Sequence, residues 1–170
     1  MRLLRKVAKT NMGRLIDREE LRDKLKTLHT MKIVFTNGCF DLIHIGHIRL
    51  LNRCRQLGDI VIVGLNSDVS VRRVKGEKHP VIPEEHRAEI LSAMSSVDLV
   101  VMFDEETPLE LVKLIRPDVL VKGGDYSEDE IVGAEQVRSW GGEVEIFPFV
   151  EGVSTTGLIN RIIESFKTEQ

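Results

Sequence analysis

Five short apolar runs, at residues 32–36, 60–65, 99–103, 119–122 and 143–148, punctuate this chain, and between them apolar positions return at helical spacing. The first four are rich in Val, Ile and Leu without the alternation of a half-exposed strand, as strands buried on both faces require. Helices are expected at residues 46–56, 83–95, 107–115, 128–139 and 155–166. In the first of these Ile48, Leu50, Leu51, Cys54 and Leu57 form one stripe that ends at Gly58. Strands alternating with helices predict an α/β domain, doubly wound, with a five-stranded parallel sheet and helices on both faces.

A sixth helix is expected at residues 17–28. Asp17 and Glu20 have capping-box spacing, and Leu21, Leu25 and Leu28 share one face. Residues 1–30 are therefore read as a basic arm followed by a helix docked on the main domain, residues 31–170. The arm holds five basic residues and no acids up to Arg14, without the apolar core of a signal peptide.

At 170 residues the chain suits one compact domain, and a net charge of −3 provides no field for nucleic acid. No stretch approaches the roughly 20 apolar residues of a membrane span, so a soluble, cytoplasmic protein without membrane partners is expected. Two cysteines, Cys39 and Cys54, are too few for a disulfide scaffold and too far apart for a CxxC site. Both are expected reduced.

The chemistry concentrates where strands end. After the first run come Asn37, Gly38, Cys39, Phe40 and Asp41, then His44, Gly46 and His47 at the start of a helix. A helix start offers unpaired backbone N–H groups and the positive end of its dipole, which attract phosphate. His44 and His47 are three residues apart, so both rings face one side of the first turn, and Gly46 leaves room for close approach to the backbone. The second run ends in Asn66-Ser67-Asp68. Beyond it Arg72, Arg73, Lys75 and Lys78 crowd what reads as a loop around Gly76, suited to closing over phosphate. Lys122 ends the fourth run, and Gly123, Gly124, Asp125 and Tyr126 follow it. Ser154, Thr155 and Thr156 stand where the last helix needs a cap, and the surplus hydroxyls make a second anion site.

These motifs, in this order, resemble the HxGH nucleotidyltransferases over about residues 14–164. The resemblance implies a Rossmann-like fold, with His44, His47 and Lys75 catalytic. It implies nucleotide or phosphate contacts from Asn37, Gly38, Cys39, Phe40, Asp41, Gly46, Asn66, Asp68, Arg72, Arg87, Lys122, Gly123, Gly124, Asp125, Ser154, Thr155 and Thr156. Asp68 either orients ribose, helps hold Mg²⁺ or caps its loop. Within the family the chain looks most like the enzymes that adenylylate D-glycero-β-D-manno-heptose 1-phosphate for lipopolysaccharide precursors, in a free-standing form rather than fused to a sugar kinase. ATP and heptose 1-phosphate are then its partners, self-association is expected, and Mg²⁺ is bound mainly through the ATP phosphates with few dedicated protein ligands.

The alternative is a cytidylyltransferase acting on glycerol 3-phosphate or a related alcohol phosphate. Phe149 and Ser95 stand where such enzymes commonly carry arginines, which favours ATP. A class I aminoacyl-tRNA synthetase fragment shares the HIGH-like turn but needs a longer, more basic chain. A nucleotide-sensing module without chemistry is the reading from a different class, and turnover separates it.

Overall fold

The computed structural model describes residues 13–125, 127–148, 150 and 152–167. The basic arm to residue 12, Tyr126 and Phe149 lie outside them. In chain order the elements are β1 (Arg14–Ile16), α1 (Arg18–Thr27), β2 (Ile33–Gly38), α2 (Ile45–Leu57), β3 (Ile60–Asn66), α3 (Asp68–Lys75), α4 (Glu84–Ser92), β4 (Leu99–Phe103), α5 (Leu109–Ile115), β5 (Val119–Gly123), a 3-10 turn (Glu128–Glu130), α6 (Ala134–Ser139), β6 (Glu143–Phe147) and α7 (Thr155–Lys167).

The described strands form one parallel sheet in the order β1-β4-β3-β2-β5-β6. It has six strands, not the five expected from sequence. The additional one, β1, runs along β4 from Arg14 opposite Leu99 to Ile16 opposite Val101. Three residues are too few to show a period, so the strand exists only because β4 offers it an edge.

Both faces of the sheet are covered. On one side Leu21 of α1, Leu111 and Val112 of α5, and Ala134 and Val137 of α6 pack against Phe35, Ile62 and Val101. On the other, Leu50, Leu51 and Cys54 of α2 and Ala88 and Leu91 of α4 pack against Val34, Val63 and Val121. Strand residues pointing to alternate faces must all be apolar under such cover, which explains the uninterrupted runs.

Two helices differ from expectation. Of the basic segment after Asn66, Arg72, Arg73 and Lys75 lie in helix α3 and only Gly76 and Lys78 stay in a turn beyond it; the helix is capped by the Ser67 hydroxyl, which accepts from the Ser70 amide at 3.2 Å. Its Val-rich, cation-rich sequence hid it, because only Ser70 and Val71 are buried. The helix expected at 128–139 is broken, since Gly133 adopts φ +93° and α6 begins only at Ala134. A Cβ at Gly133 would also meet the Val112 side chain at 3.0 Å.

The chain enters the sheet centre at β2, builds outward through β3 and β4, then crosses to β5 and β6. Strand order therefore reverses between β2 and β5, where a crevice opens at the carboxyl ends of the strands.

Candidate active site

A cavity of about 510 Å³ occupies that crevice, within the range of small-molecule sites. Its floor is the turn after β2, and α2 begins beside it.

His44 is the N-cap of α2, and its Nδ1 accepts from the Gly46 amide at 3.2 Å. An amide can only donate, so Nδ1 is unprotonated and the ring hydrogen sits on Nε2. One nitrogen thus caps the helix and the other is left as a donor. His47 stacks on this ring with centroids 3.8 Å apart and planes 19° apart, and Phe40 tilts against His47 at 5.2 Å. Gly46 is required by the stack itself, because a Cβ there would lie 3.0 Å from the His44 ring. Phe40 holds φ +44° with its ring over Gly38, a conformation that side chains rarely adopt outside functional turns.

Both histidines are biased toward the neutral form. Burial and then the Lys75 charge lower the pKa of His44. Burial, His44 and Lys75 push His47 down to about 4, and its Nδ1 is buried with no partner among the described residues. Between pH 4 and 6.5 the unfolded chain therefore takes up a proton at this histidine that the folded chain refuses. That contribution to stability is complete above pH 6.5 and is lost as pH falls toward 4. The melting temperature should drop across this window, and His47→Asn should drop less; an unchanged slope in that variant would remove the assignment.

Cations surround the stack. Lys75 closes α3 and is exposed on the cavity rim, followed by Gly76 at φ +91° with open space around it. Lys122, at the end of β5, donates to Asn37 Oδ1 at 3.3 Å, and burial lowers its pKa. Burial also raises the Cys39 pKa, so its thiol stays protonated and is no nucleophile. Cys54 is fully buried, its thiol pushed up to about 12.

The structure brings together Asn37, Gly38, Cys39, Phe40, Asp41, His44, Gly46, His47, Asn66, Lys75, Lys122, Gly123, Ser154, Thr155 and Thr156 around the one cavity. Some of these are already engaged. Asp41 is buried and both its oxygens accept from the Val81 amide at 2.9 Å, so it pins the segment before α4. Asn66 donates to Ser70 Oγ at 2.9 Å. Ser154 Oγ accepts from the Gly157 amide at 3.0 Å, which leaves the hydroxyls of Thr155 and Thr156 for a ligand.

Asp68, Arg72, Arg87, Gly124 and Asp125, expected at the nucleotide, do not line the cavity. Arg87 is fully buried and donates to the carbonyls of Ile82, Cys39 and Asn66 and to Asp68 Oδ1, at 2.6 to 2.9 Å. It holds the turn after β2 from behind, and Asp68 is its counter-ion. Arg72 belongs to α3 rather than to a flexible tip. Ser95 is exposed and also away from the cavity, so its lack of a positive charge bears on nothing there.

Sequence reasoning missed the walls. Ile131, Val132, Phe147, Pro148, Val150 and Val153 make an apolar flank by β5 and β6, and Glu106, Thr107 and Pro108 line the cavity from the turn after β4. Only the position of Glu106–Pro108 just past a predicted strand end could have pointed to them. Among the described residues no three His, Cys, Asp or Glu side chains converge as a metal site requires, and no helix is long and apolar enough to cross a membrane.

A sequence model described as cytidylyltransferase-like matches residues 35–164. Bifunctional protein HldE of Syntrophotalea carbinolica is 52% identical over 152 residues, covering 88% of this chain and 31% of that protein. Bifunctional protein HldE of Koribacter versatilis is 58% identical over 130 residues, covering 76% of this chain and 27% of that protein. The chain thus spans under a third of the length of these curated relatives. A solved structure, the lipopolysaccharide core biosynthesis protein from Thermoplasma volcanium GSS1, superposes with TM-score 0.58 at 29% identity, over 71% of this chain and 97% of that one. Pantoate-beta-alanine ligase from Francisella tularensis, at 14% identity and TM-score 0.60 over 80% of this chain and 67% of that one, shares the fold. The matched model takes in both the histidine turn and the Ser154–Thr156 wall, and on that ground the chain belongs to the cytidylyltransferase-like family.

Proposed function

We propose that this chain transfers the adenylyl group of ATP to D-glycero-β-D-manno-heptose 1-phosphate in the cytoplasm, giving ADP-heptose and pyrophosphate for lipopolysaccharide precursors. The observation that carries the reading is the stacked histidine pair at the start of α2, presented to a cavity rimmed by Lys75 and Lys122. The heptose acceptor comes from the motif resemblance, and identity of 52% to a bifunctional HldE protein supports it.

The chemistry is a direct in-line displacement. An oxygen of the sugar phosphate forms a bond to the α-phosphorus of ATP as the bond from that phosphorus to pyrophosphate breaks. The acceptor is already an anion near neutral pH, so the protein supplies position and charge stabilisation rather than a strong base. His44 donates from Nε2 to phosphate oxygen, and His47 stacked beneath it gains a proton or a hydrogen-bond partner when phosphate arrives. Lys75 neutralises the departing pyrophosphate, and the Thr155 and Thr156 hydroxyls hold the triphosphate beside them. The apolar flank from β5 and β6 takes the base.

Mg²⁺ enters as part of MgATP. The donors present fit a nucleotide-borne ion: among the described carboxylates at the cavity Asp41 and Glu130 are occupied by protein donors, Glu106 alone makes no metal cage, and Mg²⁺ commonly keeps its phosphates and waters with few protein ligands.

Product analysis tests the reading. ADP-heptose should form from ATP and heptose 1-phosphate, with inversion at a chiral α-thiophosphate; retention would require a covalent enzyme intermediate and contradict the mechanism. Lys75→Ala should lower kcat by at least about tenfold with the melting temperature nearly unchanged, since this residue is exposed and forms no ion pair among the described residues. Unfolding of that variant would make Lys75 structural instead.

A further inference from the structure

We infer that Glu106, with Thr107 beside it, reads the hydroxyl groups of the phosphorylated acceptor, and that Arg18 is a positioning residue for that turn. The assignment rests on the reading of the site as one that joins a nucleotide to a sugar phosphate.

Among the described residues three carboxylates line the cavity, and two of them are occupied. Asp41 accepts from the amides of Val81 and Ile82, and Glu130 accepts from the amide and hydroxyl of Ser127. Glu106 is exposed to the cavity and makes no hydrogen bond or ion pair with any described residue. A carboxylate repels phosphate, so Glu106 serves no phosphate, which falls instead to Lys75 and Lys122. An ionised carboxylate only accepts hydrogen bonds, and with the base placed on the apolar flank by β5 and β6 the uncharged donors left for it are hydroxyls.

Position agrees with that role. Two strand spacings separate β4 from β2, which puts the Glu106 turn about 10 Å across the sheet from the phosphate turn. A sugar whose phosphate sits at the histidines reaches outward over that distance. The opposite side, by β5 and β6, is apolar and suits a base, so the acceptor is left with the β4 side.

The turn is built rather than loose. Arg18 of α1 grips both Glu105 oxygens at 2.6 Å, Ser70 Oγ donates to the Glu105 carbonyl at 2.9 Å, and Arg73 Nη1 donates to the Asp104 carbonyl at 3.0 Å. Glu105 also accepts from the Asp104 amide at 3.1 Å. A partly exposed ion pair such as Arg18 with Glu105 adds little stability by itself. Holding a recognition turn within a fraction of an ångström is where such a pair has effect. Helix α3 supplies both Ser70 and Arg73 here and Lys75 at the pyrophosphate, so one element ties the Glu106 turn to the phosphate end of the cavity.

The test is steady-state pyrophosphate release with ATP and a series of acceptors of falling hydroxyl number: heptose 1-phosphate, a hexose 1-phosphate and glycerol 3-phosphate. Glu106→Ala should raise the KM for heptose 1-phosphate by about 10- to 100-fold, the loss of a hydrogen bond to a charged group. It should leave the KM for ATP within about twofold and shrink the preference for heptose 1-phosphate over glycerol 3-phosphate by a similar factor. Arg18→Met should shift the same acceptor KM less, with kcat preserved, and Arg18→Lys should recover part of the shift. Glu106 is exposed, so thermal unfolding of the variant should match the wild type. An unchanged acceptor KM in Glu106→Ala, or an equal rise in the KM for ATP, overturns the assignment alone. A wild-type protein that uses no sugar phosphate at all overturns the proposed function and this assignment together.

Discussion

Replacing His47 by Ala should reduce kcat by about 10² to 10³ and leave the fold almost intact. The ring is held by stacking on His44 at 3.8 Å and by Phe40, and its Nδ1 is buried without a partner, so its removal breaks no hydrogen bond among the described residues. What is lost is a group whose charge state changes when phosphate enters. Burial keeps the ring neutral, its pKa pushed down to about 4, and a phosphate anion reverses that bias. The ring therefore interacts more strongly as negative charge accumulates on the phosphates than in the resting site, which is the condition for raising kcat rather than merely lowering KM. Pyrophosphate release at saturating substrate measures the effect. Near-normal turnover in the variant would confine His47 to packing.

The largest stability effect should come from Arg87→Met. This guanidinium is fully buried and gives its hydrogens to three backbone carbonyls and to Asp68. Methionine fills much of the space but leaves those acceptors, and one carboxylate, without their donors. Breaking a buried charge pair in this way costs about 3 to 5 kcal/mol, a fall of at least about 6 °C in melting temperature for a chain of this size. Lysine should rescue little, because a single ammonium cannot reach carbonyls on three separate segments. Cys39 belongs to the phosphate turn and Asn66 to the end of β3, so surviving folded protein should also turn over slowly. A melting temperature within about 2 °C of wild type would show that water replaces the guanidinium and that the clamp is dispensable.

Arg87 also marks where sequence reasoning stopped. An arginine four residues after Pro83, at the start of a helix, looks like a phosphate ligand, and nothing in one dimension tells a cation facing a ligand from one facing the backbone behind it. The strands behaved otherwise. The runs at 60–65, 99–103 and 119–122 lie under helices on both faces, so burial wrote their boundaries directly into composition. The turn from Asn37 to His47 was legible for a related reason: a buried strand must end where glycine and histidine open the helix, and few conformations satisfy both. Strand β1 carried no such mark, since three residues borrow their structure from β4. Helix α3 was hidden because its cap is a single serine and its surface is cationic. Glu106 and Thr107 were invisible because an exposed acid after a strand is ordinary in sequence and becomes informative only beside a cavity. Gly46 was legible as necessary, yet the space it preserves belongs to the His44 ring.

The central claim is that one cavity joins ATP to a sugar phosphate, and pyrophosphate release by the purified chain with Mg²⁺ tests it most directly. ATP, CTP and GTP are each crossed with heptose 1-phosphate, glycerol 3-phosphate and no acceptor. Release with ATP and heptose 1-phosphate alone is the expected result. Release with CTP and glycerol 3-phosphate, or none with any pair, would contradict it.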